Sequence, residues 1–131
     1  MQLKNIQSNE VLALPDDLSW TDEHQWSPVT ATSSYLLTGA LLIETAVRQA
    51  GRPITLQAPE DMAWISRATL DHLYAWASIP ELTMQLVLSD GRSFAVMFRH
   101  SDSAIESSSV LGFRGLQADS LWRVQLRLLA V

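Results

Sequence analysis

The sequence predicts a mainly β (α+β) fold: a split β-barrel or sandwich of about six to eight antiparallel strands with one main α-helix at about 67–78 and an extended N-terminal arm. Three observations carry this expectation. Leu82-Thr83-Met84-Gln85-Leu86-Val87-Leu88 and Phe94-Ala95-Val96-Met97-Phe98 alternate apolar and other residues on both sides of Asp90-Gly91, a strong short-range hairpin signal. Leu121 to Leu128 alternates in the same way, with Trp122, Val124, Leu126 and Leu128 on one face and Arg123, Gln125 and Arg127 on the other. Only Arg67 to about Ser78 repeats apolar residues at helical spacing, through Leu70, Leu73, Tyr74 and Ala77.

A chain of 131 residues, 47% hydrophobic and 18% charged, suits one folded domain with a real core. No apolar run approaches the ~20 residues of a membrane-spanning helix. The first residues lack the basic start and apolar stretch of a signal peptide. With no cysteine there is no disulfide framework and no thiolate chemistry. The net charge of −5 lies wholly in the first third. There Lys4 faces six acids, whereas residues 46–131 balance eight arginines with eight acids. An acidic front argues against nucleic-acid binding, which needs a basic face to displace counterions. It serves either solubility or attraction to a basic surface on a partner.

Residues 1–28 read as an acidic arm in front of a single β-barrel domain at 29–131. Pro15 and Pro28 punctuate the arm, and no periodicity runs through it. Leu14, Leu18, Trp20 and Trp26 are nevertheless too apolar to stay in water. They either pin the arm to its own domain or seat it on a neighbouring subunit. Val29 to Val47 reads as two strands around Thr38-Gly39, with a helix from Ala40 to Gln49 as the competing reading. Pro53 to Gln57 is a short strand, and Met62 and Trp64 mark a short pairing segment. Ser66 is the expected N-cap of the helix, which ends before Pro80. A type I′ turn is expected at Asp90-Gly91. Ser101 to Ser109 is polar and unpatterned and reads as a mobile loop, with a short strand from Val110 to Phe113 after it.

No phosphate-binding loop, dinucleotide fingerprint, zinc motif or calcium loop is present. His24, His72 and His100 fall in three separate elements, none with a second ligand at helical spacing. Serines are abundant, but no nucleophile turn accompanies them. No catalytic residue, cofactor or metal site is therefore expected. Arg52, Arg92 and Arg99 gather if their turns share one end. They then either cap those turns and pair with nearby acids, or receive the acidic arm of a second copy. The candidate subunit interface is accordingly Trp20, Trp26, Asp16, Asp17, Asp22, Glu23, Arg52 and Arg92.

The element order, with Leu14-Pro15-Asp16-Asp17-Leu18 in the arm, Gly51-Arg52-Pro53-Ile54-Thr55-Leu56, one helix and Asp90-Gly91-Arg92, resembles small tail proteins of long-tailed bacteriophages. It is similar to the distal-tail and baseplate-ring proteins that share a split β-barrel with the tail tube. The resemblance covers residues 14–131. It implies a structural virion protein without catalytic residues, assembled in the host cytoplasm into a ring, commonly sixfold, that joins tail tube to baseplate. Its partners would be copies of itself and other tail proteins, with no membrane insertion. Two other functions are compatible with the residues. One is a small-molecule-binding barrel whose pocket is lined by Tyr74, Trp76, Phe94 or Phe98. The other is an inhibitor or regulator acting through the acidic arm.

Overall fold

The computed structural model describes residues 1–59, 61–110, 117 and 119–131. The described residues form eleven strands and one α-helix: β1 (Gln2–Asn5), β2 (Val11–Ala13), β3 (Ser19–Trp20), β4 (Val29–Tyr35), β5 (Leu41–Val47), β6 (Arg52–Gln57), β7 (Trp64–Ser66), α1 (Arg67–Ala77), β8 (Met84–Val87), β9 (Ser93–Phe98), β10 (Ile105–Ser109) and β11 (Leu121–Ala130). The fold is mainly β, as the alternation predicts. All pairings are antiparallel, and nine strands make one sheet in the order β2-β1-β8-β9-β11-β6-β3, with β7 and β10 also on β11. Its strands do not close into a barrel.

β11 is the spine. It pairs with β10 and then β9 along one edge, and with β7 and then β6 along the other. The alternation read from the sequence explains its place: Val124, Leu126 and Leu128 are buried. Met84, Leu86, Val96, Ile54, Leu56 and Leu3 complete a fully buried layer on neighbouring strands. Ser66 caps α1 as expected, its Oγ accepting from Thr69 N at 3.3 Å. Leu70, Leu73 and Trp76 bury one face of the helix in the core. The buried stripe therefore runs through Trp76, whereas Tyr74 is exposed and meets Ser107 Oγ at 3.2 Å.

Four expectations differ from what folds. Residues 1–28 include three strands of the main sheet, and β1 lies between β2 and β8 with Leu3 fully buried. The polar run Gln2-Leu3-Lys4-Asn5 hides this strand, because Asn5 is buried too. Its Oδ1 accepts from Gln7 N at 2.9 Å and holds the turn into β2. The expected loop at 101–109 contains β10, held by the edge of β11 rather than by its own serines. The expected type I′ turn is a three-residue loop. Leu88 N donates to Arg92 O at 2.8 Å and Gly91 N to Leu88 O at 3.0 Å, with positive φ at Gly91 and not at Asp90. Finally, β4 and β5 are strands, as preferred over a helix, but they form a sheet of their own outside the main one. The expected strand at Val110 to Phe113 begins in a turn at Val110, and the rest lies outside the described residues.

Candidate assembly surface

The β4–β5 hairpin pairs in register from Val29↔Val47 to Tyr35↔Leu41. It runs about 23 Å at ~3.3 Å per residue. Its loop repeats the geometry of the other long hairpin: Leu36 N donates to Ala40 O at 2.8 Å, Gly39 N to Leu36 O at 2.9 Å, and Gly39 has φ +83°. Alternation splits its residues into two faces. Val29, Ala31, Tyr35, Leu41, Ile43 and Val47 lie on one face, with Ser33 and Thr45 between them. Thr30, Thr32, Ser34 and Glu44 lie on the other, beside Leu42 and Ala46. Every residue from 27 to 50 is exposed. Tyr35 is 79% exposed, Ile43 59% and Val47 66%.

Such a ribbon is out of balance alone. A lone two-stranded hairpin is marginally stable in water, and its outer edges carry unpaired N–H and C=O groups that template further strands. Among the described residues, β4 and β5 pair only with each other. The chain thus presents an apolar face and two open edges together, with no lysine, proline or bulge to blunt them along the strands.

Of the residues singled out from the sequence, Trp20, Glu23, Trp26, Arg52 and Arg92 gather elsewhere, at the root of this hairpin, whereas Asp16 and Asp17 find other partners. Trp20 is half-buried in β3. Its ring meets Phe94 edge-on at 5.4 Å, and its Nε1 donates to Pro53 O at 3.4 Å. The Arg52 guanidinium lies 4.4 Å from the Trp20 ring centre and 5.8 Å from that of Trp26. Arg52 Nη2 also donates to Glu23 O at 2.7 Å. Arg92 Nη1 donates to Glu23 Oε1 at 2.5 Å, and its Nε to Asp90 Oδ2 at 2.7 Å. Asp22 receives Thr55 N and Thr55 Oγ1, both at 2.9 Å. Asp16 pairs with the Met1 ammonium, and Asp17 accepts from Ala63 N at 3.4 Å. The arginines thus meet the acidic segment of their own chain. Arg99 stands apart from that pairing, on Asp102 at 3.2 Å and Thr55 Oγ1 at 3.1 Å.

This charge network shifts its members. The hydrogen bond from the Arg92 side chain holds the Glu23 carboxyl below its ordinary value. The Arg92 backbone N–H, and then its side chain, hold Asp90 below its own. In return the Arg92 guanidinium is held protonated more firmly than usual, by Glu23 first and Asp90 second. Both ion pairs lie at the surface, so they set geometry more than stability.

Elsewhere the surface offers shallow hollows. One of about 280 Å³ lies between Asp61, Met62, Glu106, Ser108, Arg123 and Gln125. Its charges are already paired, Arg123 with Asp61 at 2.6 Å and Glu106 with Arg127 at 2.8 Å. Trp76 and Phe98, candidates for a ligand pocket, are buried in the packed core. Among the described residues no group of three metal-ligating side chains converges. No family model, curated protein or solved structure matches the chain.

Sequence reading missed the exposed apolar face of β4–β5 because it placed both strands in the barrel. A signal was present. Val29-Thr30-Ala31-Thr32-Ser33-Ser34-Tyr35 is built of small and hydroxyl residues, unlike the leucine-rich strands that fill the core.

Proposed function

We propose that this chain is a structural protein of a tailed bacteriophage. It assembles with copies of itself into a ring of the tail or baseplate and joins the tail tube to baseplate components. It acts by shape and interface, without turnover. The observation that supports assembly is the β4–β5 hairpin, apolar on one face and open at both edges. A second copy fits it well. β5 of one copy beside β4 of the next continues the antiparallel pattern with every hairpin pointing the same way. One contact then repeats around a rotation axis and closes. Closing the strands on themselves leaves no edge exposed. The assignment to a phage tail draws on the element order and on the segments Gly51 to Leu56 and Asp90 to Arg92.

Light scattering after size exclusion, with electron microscopy of the purified protein, tests the reading. Closed rings of one size, and co-purification with tail proteins, are expected. A protein that stays monomeric at high concentration and is missing from purified tails refutes it.

A further inference from the structure

The hairpin leaves the core through residues 28 and 48–51, a stretch with little to hold it. The strand ends are joined by Arg48 N to Pro28 O at 2.7 Å, and Gly51 N reaches Ala130 O at 2.9 Å. Two backbone hydrogen bonds of this kind leave a two-stranded ribbon free to swing about its root. Yet cyclic assembly requires every copy to present its ribbon at one angle, since the rotation between neighbours must close.

The side chains around the root supply what the backbone lacks. Arg48 lies over the Trp26 ring at 5.9 Å, and Arg52 over the same ring at 5.8 Å. Arg52 also lies over Trp20 at 4.4 Å, and Arg92 over Trp20 at 5.7 Å. Each distance is within the range in which a guanidinium is drawn to an aromatic face. Together they form an unbroken alternation: Arg48, Trp26, Arg52, Trp20, Arg92. Its first rung stands just past the end of β5, and its last is on the loop between β8 and β9. Its middle is fixed to the core: Arg52 begins β6, Arg52 Nε is buried, and Phe94 backs Trp20 from the side. Glu23 ties two rungs at once, its carbonyl on Arg52 and its carboxylate on Arg92.

We propose that this arginine–tryptophan stack is a clamp that fixes the direction in which the β4–β5 hairpin leaves the core. Trp26 and Arg48 are then positioning residues: they make no interface with a neighbour but set the angle at which one is met. Planarity is essential to the mechanism. A flat guanidinium stacks on two indoles at once, whereas an ammonium is a strongly hydrated point charge, so lysine does not substitute at position 52. The importance for ring assembly rests on the function proposed above; the clamp itself does not.

The chain has no cysteine, so Ala40→Cys at the hairpin tip and His72→Cys on α1, both exposed, accept a dye pair cleanly. Time-resolved energy transfer at nanomolar concentration, where copies stay apart, reads the tip-to-helix distance distribution. A single narrow distribution is expected in the parent. Trp26→Ala, at a half-buried position, and Arg48→Ala, at an exposed one, should each lose it and give a broad one. Arg52→Lys should broaden it as well, and Trp26→Phe should largely restore it. Circular dichroism melting should stay near the parent's for these two alanine variants. A distribution already broad in the parent, or one left narrow by both Trp26→Ala and Arg48→Ala, overturns the clamp. Narrow-to-broad behaviour in a protein that never forms rings upholds the clamp and refutes the ring.

Discussion

Replacing Ile43 with aspartate separates the two roles an apolar side chain can have, because in the single chain this residue supports almost nothing. It is 59% exposed, faces Ser33 across the hairpin and lies on a strand that, among the described residues, pairs with no strand of the main sheet. Exposed substitutions of this kind usually change stability by less than about 0.5 kcal/mol, and the lost cross-strand pair adds at most about 1 kcal/mol, confined to the hairpin. Global unfolding in urea should therefore be unchanged. Association is another matter. Fully burying an isoleucine is worth roughly 1.5–3 kcal/mol, so covering the exposed share contributes about 1–2 kcal/mol per interface. At 1.4 kcal/mol per tenfold, losing it weakens each contact by about 5- to 30-fold. The buried aspartate charge makes that a lower bound, since an unpaired carboxylate must also be desolvated. A ring compounds the loss once per contact. Sedimentation velocity across a concentration series, beside urea melts of the same sample, reads both quantities. Unchanged assembly in Ile43→Asp, or a loss of global stability much above 1 kcal/mol, refutes the reasoning.

Other consequences can be checked in the same way. Leu126→Ala, at a fully buried position of β11 with strands on both sides, should cost about 3–5 kcal/mol, because a site held from both edges cannot collapse onto the cavity. A urea midpoint within error of the parent's would contradict that. Glu23 and Asp90 have lowered values in the folded chain. Their stabilising effect is thus full above the ordinary values of 4.5 and 3.8, and is lost as pH falls through the lowered ones. Melting temperatures from pH 7 to 2 should fall less steeply in Glu23→Gln than in the parent, with salt reducing the difference. Gly39→Ala and Gly91→Ala meet no atom within 4 Å, so only backbone strain opposes them, at φ +83° and +95°. That strain is about 1 kcal/mol. It should lower global stability for Gly91, which closes a core hairpin, and leave it unchanged for Gly39, whose hairpin stands outside the core.

The parts of the fold visible in the sequence are those whose burial is one-sided and local. β8, β9 and β11 alternate because one face meets the core, and Ser66 marks α1 because a cap is a contact over three residues. The parts that were hidden depend on distant partners. Ile105-Glu106-Ser107-Ser108-Ser109 has no strand signature and is extended because β11 offers it an edge. β1 is polar enough to read as an arm, and its buried Asn5 is satisfied by a turn of its own making. At the candidate site, the tryptophans, acids and arginines could be picked out as apolar or charged residues out of place. Their joining into one stack could not, since Trp20 and Arg92 are brought together only by the folding of what lies between them.

The position of β11 also sets an order of events in time. Its partners β6, β7, β9 and β10 all precede it in the chain, and Leu126 pairs with Leu56 of β6 across some 70 residues. Such distant pairing is slow, because loop closure must come before the contacts that reward it. β4 and β5 need no such wait: a seven-pair hairpin closed by a three-residue loop forms on the microsecond scale. A nascent chain therefore displays its open edges while its core is still incomplete. Association at that stage would trap unfinished chains, so productive assembly favours conditions in which synthesis of the last strand outruns encounter between copies. If copies associate through these edges as proposed, the rate of production is itself a determinant of correct assembly.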